Sequence, residues 1–225
     1  MPVDCSEPIP LISQSSSALL LPYLGPEEFS CLGSSSRISW WLGESNSFLT
    51  IETSEDSPLP TSLLLPAAPR RIARTSLHGW KIDDSLTSVS RLLRTPLVAR
   101  RGLVAHAPHS LEQSLCGKVG LGSGLTPEGD DEMAGFLLAA RALGISHTLN
   151  ASMWSKGQTT ALSAALLNAA LHGFALSAVA DAAHEMALGS IKPQTQEAVL
   201  AVGHSSGAAL LQGIEIAAHC VRRAA

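Results

Sequence analysis

The segment Gly120-Leu-Gly-Ser-Gly-Leu-Thr-Pro-Glu-Gly-Asp-Asp131 constrains the chain more than any other. Thr126 suits a helix N-cap, Pro127 the first helical position and Glu128 the first turn, so a helix is expected from residue 127. Gly120, Gly122 and Gly124 alternate immediately before it, and residues without a Cβ let a backbone turn tightly and approach a ligand closely. The unpaired amides of a helix start favour an anion such as phosphate or carboxylate. No Gly-Lys-Ser/Thr follows, so this is not a Walker A loop, and Pro127 with the acidic run does not suit a Rossmann fingerprint. The expectation is an anion-binding loop feeding a helix.

The acidic run complicates a bare anion site. Glu128, Asp130, Asp131 and Glu132 already compensate the helix dipole. A divalent cation such as Mg2+ on Asp130 or Asp131 would reconcile the two by bridging carboxylate and phosphate oxygens. Successive helical residues point about 100° apart, so Asp130 and Asp131 are expected to differ in role. A second segment, Gly203-His-Ser-Ser-Gly207, also precedes a predicted helix, and the two glycine segments are expected side by side. His204 can donate a proton, and Ser205 and Ser206 can bind oxygens. The match to G-x-S-x-G is not read as a hydrolase elbow. The residues after Gly207 do not supply the acid and histidine of that triad with normal geometry.

The bulk numbers narrow the class. A chain of 225 residues with 45% hydrophobic residues can bury a sizeable core. The net charge is −4, the cations are scattered and aromatics are 4%, which argues against a nucleic-acid surface. Cys5, Cys31, Cys116 and Cys220 form no C-x-x-C pair and no disulfide pattern. The N-terminus, with Asp4 and Glu7 and no basic region before an apolar core, is not expected to be a signal peptide, and no apolar run reaches the ~18 residues of a membrane span. A cytoplasmic location without membrane contact is expected.

Composition shifts near residue 70 and divides the expected fold. Residues 1–70 read as a small antiparallel β-rich part. Arg37–Gly43 and Ser47–Thr53 flank a hairpin turn, with further strands at Thr61–Leu65 and Ser17–Leu21. Residues 71–225 read as an Ala-rich helical domain carrying the glycine motifs. Helices are expected at Asp84–Leu93, from 127 to Gly144, at Thr159–Leu171, Phe174–Leu188 and Gln194–Val202, and at the C-terminus. The last places Leu210, Ile214, Ala217 and Val221 on one stripe. The class is α+β.

The two glycine segments together resemble the AllH-like family, one member of which is a subunit of the oxamate carbamoyltransferase of anaerobic allantoin breakdown. The family signature reads Gly-Leu-Gly-Pro-Gly-Leu-Thr-Pro-Ser-Gly-Asp-Asp, and Gly120–Asp131 differs from it at Ser123 and Glu128. A later signature, Gly-His-Thr-Ser-Gly-x-Asp-Leu-Leu-x-Gly, resembles Gly203–Gly213, with Ser205 in place of Thr and Ala209 in place of Asp. Thr160, Ser163 and Ala170 through Gly173 also look like the family pattern. The resemblance covers about residues 100–220. It implies an assembly that moves a carbamoyl group between oxalurate and phosphate, giving oxamate and carbamoyl phosphate.

Three functions compete. In the first, the chain is a carbamoyltransferase-like subunit that binds a small anionic metabolite. Gly120, Gly122, Ser123, Gly124, Leu125, Thr126, Gly129 and Asp131 would form one half of the site, and Ser205, Ser206 and Gly207 the other. Amides held in place would also stabilise charge developing during transfer. In the second, it is a non-catalytic partner whose loop shapes an interface, in a homo-oligomer or with other subunits. In the third, it is an independent hydrolase of small amides or ureides, with Asp130 or His204 as general base.

Overall fold

A computed structural model describes residues 27–34, 38–43, 48–52, 62–64, 72–74, 105–154 and 157–224. The chain separates into two compact units, Met1–Val89 and Ser90–Ala225. Helix dominates the second.

In the first unit, β1 (Glu27–Ser34), β2 (Ile38–Gly43), β3 (Phe48–Glu52), β4 (Ser62–Leu64) and β5 (Ile72–Arg74) form one sheet in the order β4-β3-β2-β1-β5. β2 and β3 pair antiparallel, Trp40 opposite Thr50, as two runs around a three-residue turn signal should. β1 pairs antiparallel with β2 and β5, with a register shift between Cys31 and Gly33. One expectation is corrected: β3 and β4 run parallel, so the sheet is mixed rather than antiparallel. The separation between Glu52 and Ser62 is too long for a tight hairpin, which leaves parallel pairing open to β4. The expected strand at Ser17–Leu21 and helix at Asp84–Leu93 lie outside the described residues.

The second unit is built around one buried helix. α1 (His109–Cys116) leads into α2 (Glu128–Leu143), followed by a short 3-10 turn at Ala151–Trp154. α3 (Ala161–Leu171), α4 (Ser177–Leu188), α5 (Pro193–Leu200) and α6 (Ser206–Ala224) complete it. α2 is buried along nearly its whole length because α6, α3 and α4 all pack on it. A helix enclosed on every side needs small residues as well as large ones, and its Met133, Phe136, Leu137 and Leu138 alternate with Ala134, Ala139 and Ala140. α2 and α6 approach at backbone distance. A Cβ on Gly135 would stand 2.1 Å from the Leu210 carbonyl oxygen, and one on Gly213 2.0 Å from that of Glu132. Gly144 takes a left-handed φ of 72° and ends α2.

Around this core the ends are tied by side chains. The Trp154 Nε1–H donates to Asn168 Oδ1 at 2.9 Å, pinning the 3-10 turn to α3. Buried Glu112 on α1 accepts from the Thr148 amide at 2.9 Å and from its hydroxyl. Among the described residues, no helix is long and apolar enough to cross a membrane.

Candidate functional site

The glycine-rich loop sits where the starts of α2, α3 and α6 meet. The Thr160 hydroxyl caps α3 by accepting from the Ser163 amide at 3.0 Å, and donates to the Leu125 carbonyl at 2.5 Å. The Thr126 and Ser206 hydroxyl oxygens are 3.1 Å apart, joining the loop to the first residue of α6. The two glycine segments, 80 positions apart, therefore touch. Thr126 does not cap α2 through its side chain, as the sequence pattern suggested; Pro127 stands at the cap and the hydroxyl faces Ser206 instead.

The acids that open α2 have separate tasks. Glu128 is exposed. Asp130, 2% exposed, accepts from the Gly120 amide at 2.8 Å through Oδ1 and from the Thr159 hydroxyl through Oδ2. Both oxygens thus hold the loop's entry and the start of α3. Glu132 pairs with Lys118 at 2.6 Å. Asp131 differs from all three: it is 7% exposed and its Oδ2 has no hydrogen-bond partner among the described residues.

Asp131 is also where the electrostatics are unusual. Burial pushes its carboxyl from 3.8 up to about 6. Nearby Asp130 and Glu128 add to the rise, and the Ser206 and Thr126 hydroxyls oppose it. A carboxyl that changes charge near neutrality, beside two hydroxyls from two motifs, can hold or release a proton or accept one from a ligand. Among the described residues, no group of three or more His, Cys, Asp or Glu side chains is arranged to hold a metal ion.

The loop itself is open. Residues 121–125 are exposed, and none of the amides of residues 122–126 donates to another group among the described residues. Gly122 and Gly124 hold φ of 132° and 86°, which side-chain-bearing residues rarely adopt. The other motif glycines have different work. The Gly120, Gly129 and Gly207 amides donate to Asp130 Oδ1, the Leu121 carbonyl and the Val202 carbonyl. A Cβ on Gly129 would meet the Lys118 carbonyl oxygen at 2.0 Å, and one on Gly207 that of Val199 at 2.1 Å. These two are packing positions rather than donors to a ligand.

His204 is exposed at the turn before α6, and the Ser205 carbonyl accepts from the Ala209 amide at 3.2 Å. Of the residues singled out, the structure brings Thr126, Asp131 and Ser206 together. In the sequence, Thr159 and Thr160 read as a helix start and Thr160 as part of the family pattern, but neither is assigned there to the site. The position of Thr160 before an Ala-rich helix was the available signal, as a capping residue. Other histidines lie apart: His106 Nδ1 is 2.5 Å from Ser146 Oγ, and His172 Nδ1 is 2.8 Å from the Asn168 carbonyl.

No curated protein and no solved structure matches this chain. One family model does, described as oxamate carbamoyltransferase subunit AllH, over residues 118–218, a span that begins at Lys118 beside the loop and ends within α6. Through that span, which contains both glycine segments, α2 to α5 and most of α6, the chain is similar to the AllH family.

Proposed function

We propose that this chain is the anion-binding subunit of an oxamate carbamoyltransferase-like assembly. The observation that carries the reading is the exposed loop, whose unengaged amides at 122–126 adjoin an unpartnered, buried Asp131 Oδ2 and the Thr126 and Ser206 hydroxyls. Backbone amides so placed bind carboxylate or phosphate oxygens without side-chain cations. The family description names oxamate, a small carboxylate, and carbamoyl transfer. In this reading the amides orient the anionic end of the metabolite, and Asp131 is the one acid left free to act on it. Asp130 and the glycines at 129 and 207 support the frame.

One observation favours a second reading, that the loop seats another subunit. Leu121 and Leu125, on the same loop, are 60% and 59% exposed. Both readings fit the family description, which names a subunit, and a partner closing over the loop would also exclude water from the bound metabolite.

The test is a melting series on the whole chain with phosphate, carbamoyl phosphate and oxamate, each with and without Mg2+. The comparison protein is Gly124→Val. An added Cβ there meets nothing within 4 Å, yet φ of 86° does not suit valine, so the loop changes while the core does not. A ligand at 100 times its Kd stabilises the folded state by about 2.7 kcal/mol. The expected result is a rise for the wild type that Gly124→Val loses. A rise only with Mg2+ would assign the carboxylates a metal. No rise with any anion would end the anion-site reading.

A further inference from the structure

Asp131 Oδ2 is an acceptor without a donor among the described residues, closed in by protein and flanked by hydroxyls from the two glycine segments. Leaving a buried acceptor unpaired costs on the order of 1–3 kcal/mol. Neighbouring acids show that the fold can satisfy such groups: Asp130 has an amide and a hydroxyl, Glu132 an ammonium, Glu112 an amide and a hydroxyl. The loop amides at 122–126 are the converse, donors with no protein acceptor among the described residues. A ligand that satisfies both must carry acceptor oxygens at one end and an N–H donor at the other. A plain carboxylate or phosphate meets only half of this requirement and would set its own charge against Asp131.

We propose that Asp131 is the specificity-determining residue of the site, accepting a hydrogen bond from the N–H of a primary carboxamide or carbamoyl group whose oxygens lie on the loop amides. This rests on the anion-site reading above. A ligand reaches Oδ2 by parting Thr126 from Ser206, which a single 3.1 Å hydrogen bond joins. The loop that carries Thr126 is held besides by the Thr160 hydroxyl on the Leu125 carbonyl, while its amides at 122–126 donate to no group among the described residues. Asp130 and Glu128, on the same helix as Asp131, are the charged groups acting on it; α6 contributes the neutral Ser206 hydroxyl. At pH 8 the carboxyl is ionised and purely an acceptor, because its pKa is about 6.

Oxamate and oxalate provide the test, being the same size and shape with an NH2 in one where the other has a carboxylate oxygen. Calorimetric titration of the whole chain at pH 8 should find oxamate bound at least tenfold more tightly than oxalate. In Asp131→Asn, which supplies a donor in place of the acceptor, that preference should fall to within about twofold or invert. Ser206→Ala should weaken both ligands alike and keep the preference; a folded Asp131→Asn is verified by its melting curve. Equal binding of the two ligands by the wild type would overturn the specificity role while leaving the anion site intact. A preference that survives in Asp131→Asn would overturn it as well. Binding of neither ligand would overturn the anion site and the specificity role with it.

Discussion

Replacing Asp131 by asparagine should stabilise the folded protein above pH 6. The wild-type carboxyl titrates at about 6 rather than 3.8, chiefly because it is buried. At about 1.4 kcal/mol per pKa unit, that rise corresponds to a ceiling of about 3 kcal/mol of native-state destabilisation once the group is ionised. The loop beside it is exposed and lends some solvent screening, so about 1–2 kcal/mol is the working figure. Since the folded-state pKa lies above the unfolded value, the wild type keeps this stability below about pH 4. It loses it progressively as pH rises to about 6 and has none of it at pH 8. Asparagine has no charge to bury, and the Thr126 and Ser206 hydroxyls can accept from its amide. For a chain of this size, 1–2 kcal/mol corresponds to roughly 2–8 °C in Tm. Thermal melts at pH 4 and pH 8 should therefore find the two proteins close at the lower pH and the variant higher at the upper one. A variant that melts at or below the wild type at pH 8 would refute the claim that Asp131 is held charged against its own stability.

Asp130→Asn should behave in the opposite way at the adjacent position. It removes charge from an acceptor of the Gly120 amide and the Thr159 hydroxyl, costing about 1.5–3 kcal/mol in the same melts. Gly213→Ala places a Cβ 2.0 Å from the Glu132 carbonyl oxygen and 2.6 Å from the Phe136 nitrogen. Backbone must move to admit it, so the urea midpoint should fall by an amount equivalent to about 3 kcal/mol.

Much of the helical unit was legible in the sequence because its signals are local. α2 and α4 stop just before Gly144 and Gly189, and the hydrophobic stripe of α6 marks its buried face. α1 escaped notice because it has only eight residues and begins after Pro108 without a capping side chain. β5 is three residues long and owes its existence to pairing with β1, which no local pattern records. The site was legible as a place more than as a set of roles. Alternating glycines announced a loop against a helix start, but a glycine required by a ligand reads the same as one required by a neighbouring backbone. Gly129 and Gly207 are of the second kind. Asp130 and Asp131 are adjacent acids at one helix start, and only the positions of Thr159 and Ser206 separate them. Those positions are set by the packing of α3 and α6 on α2, a tertiary fact.

The central claim is that the open amides of residues 122–126 hold the metabolite. Amide chemical shifts of the 15N-labelled chain, followed while oxamate is added, test it residue by residue. The account predicts the largest movements at Gly122, Ser123, Gly124, Leu125 and Thr126, with small ones at Gly129 and Gly207, whose amides already donate to protein carbonyls. Saturable movements confined to other parts of the helical unit, with the loop unmoved, would contradict it.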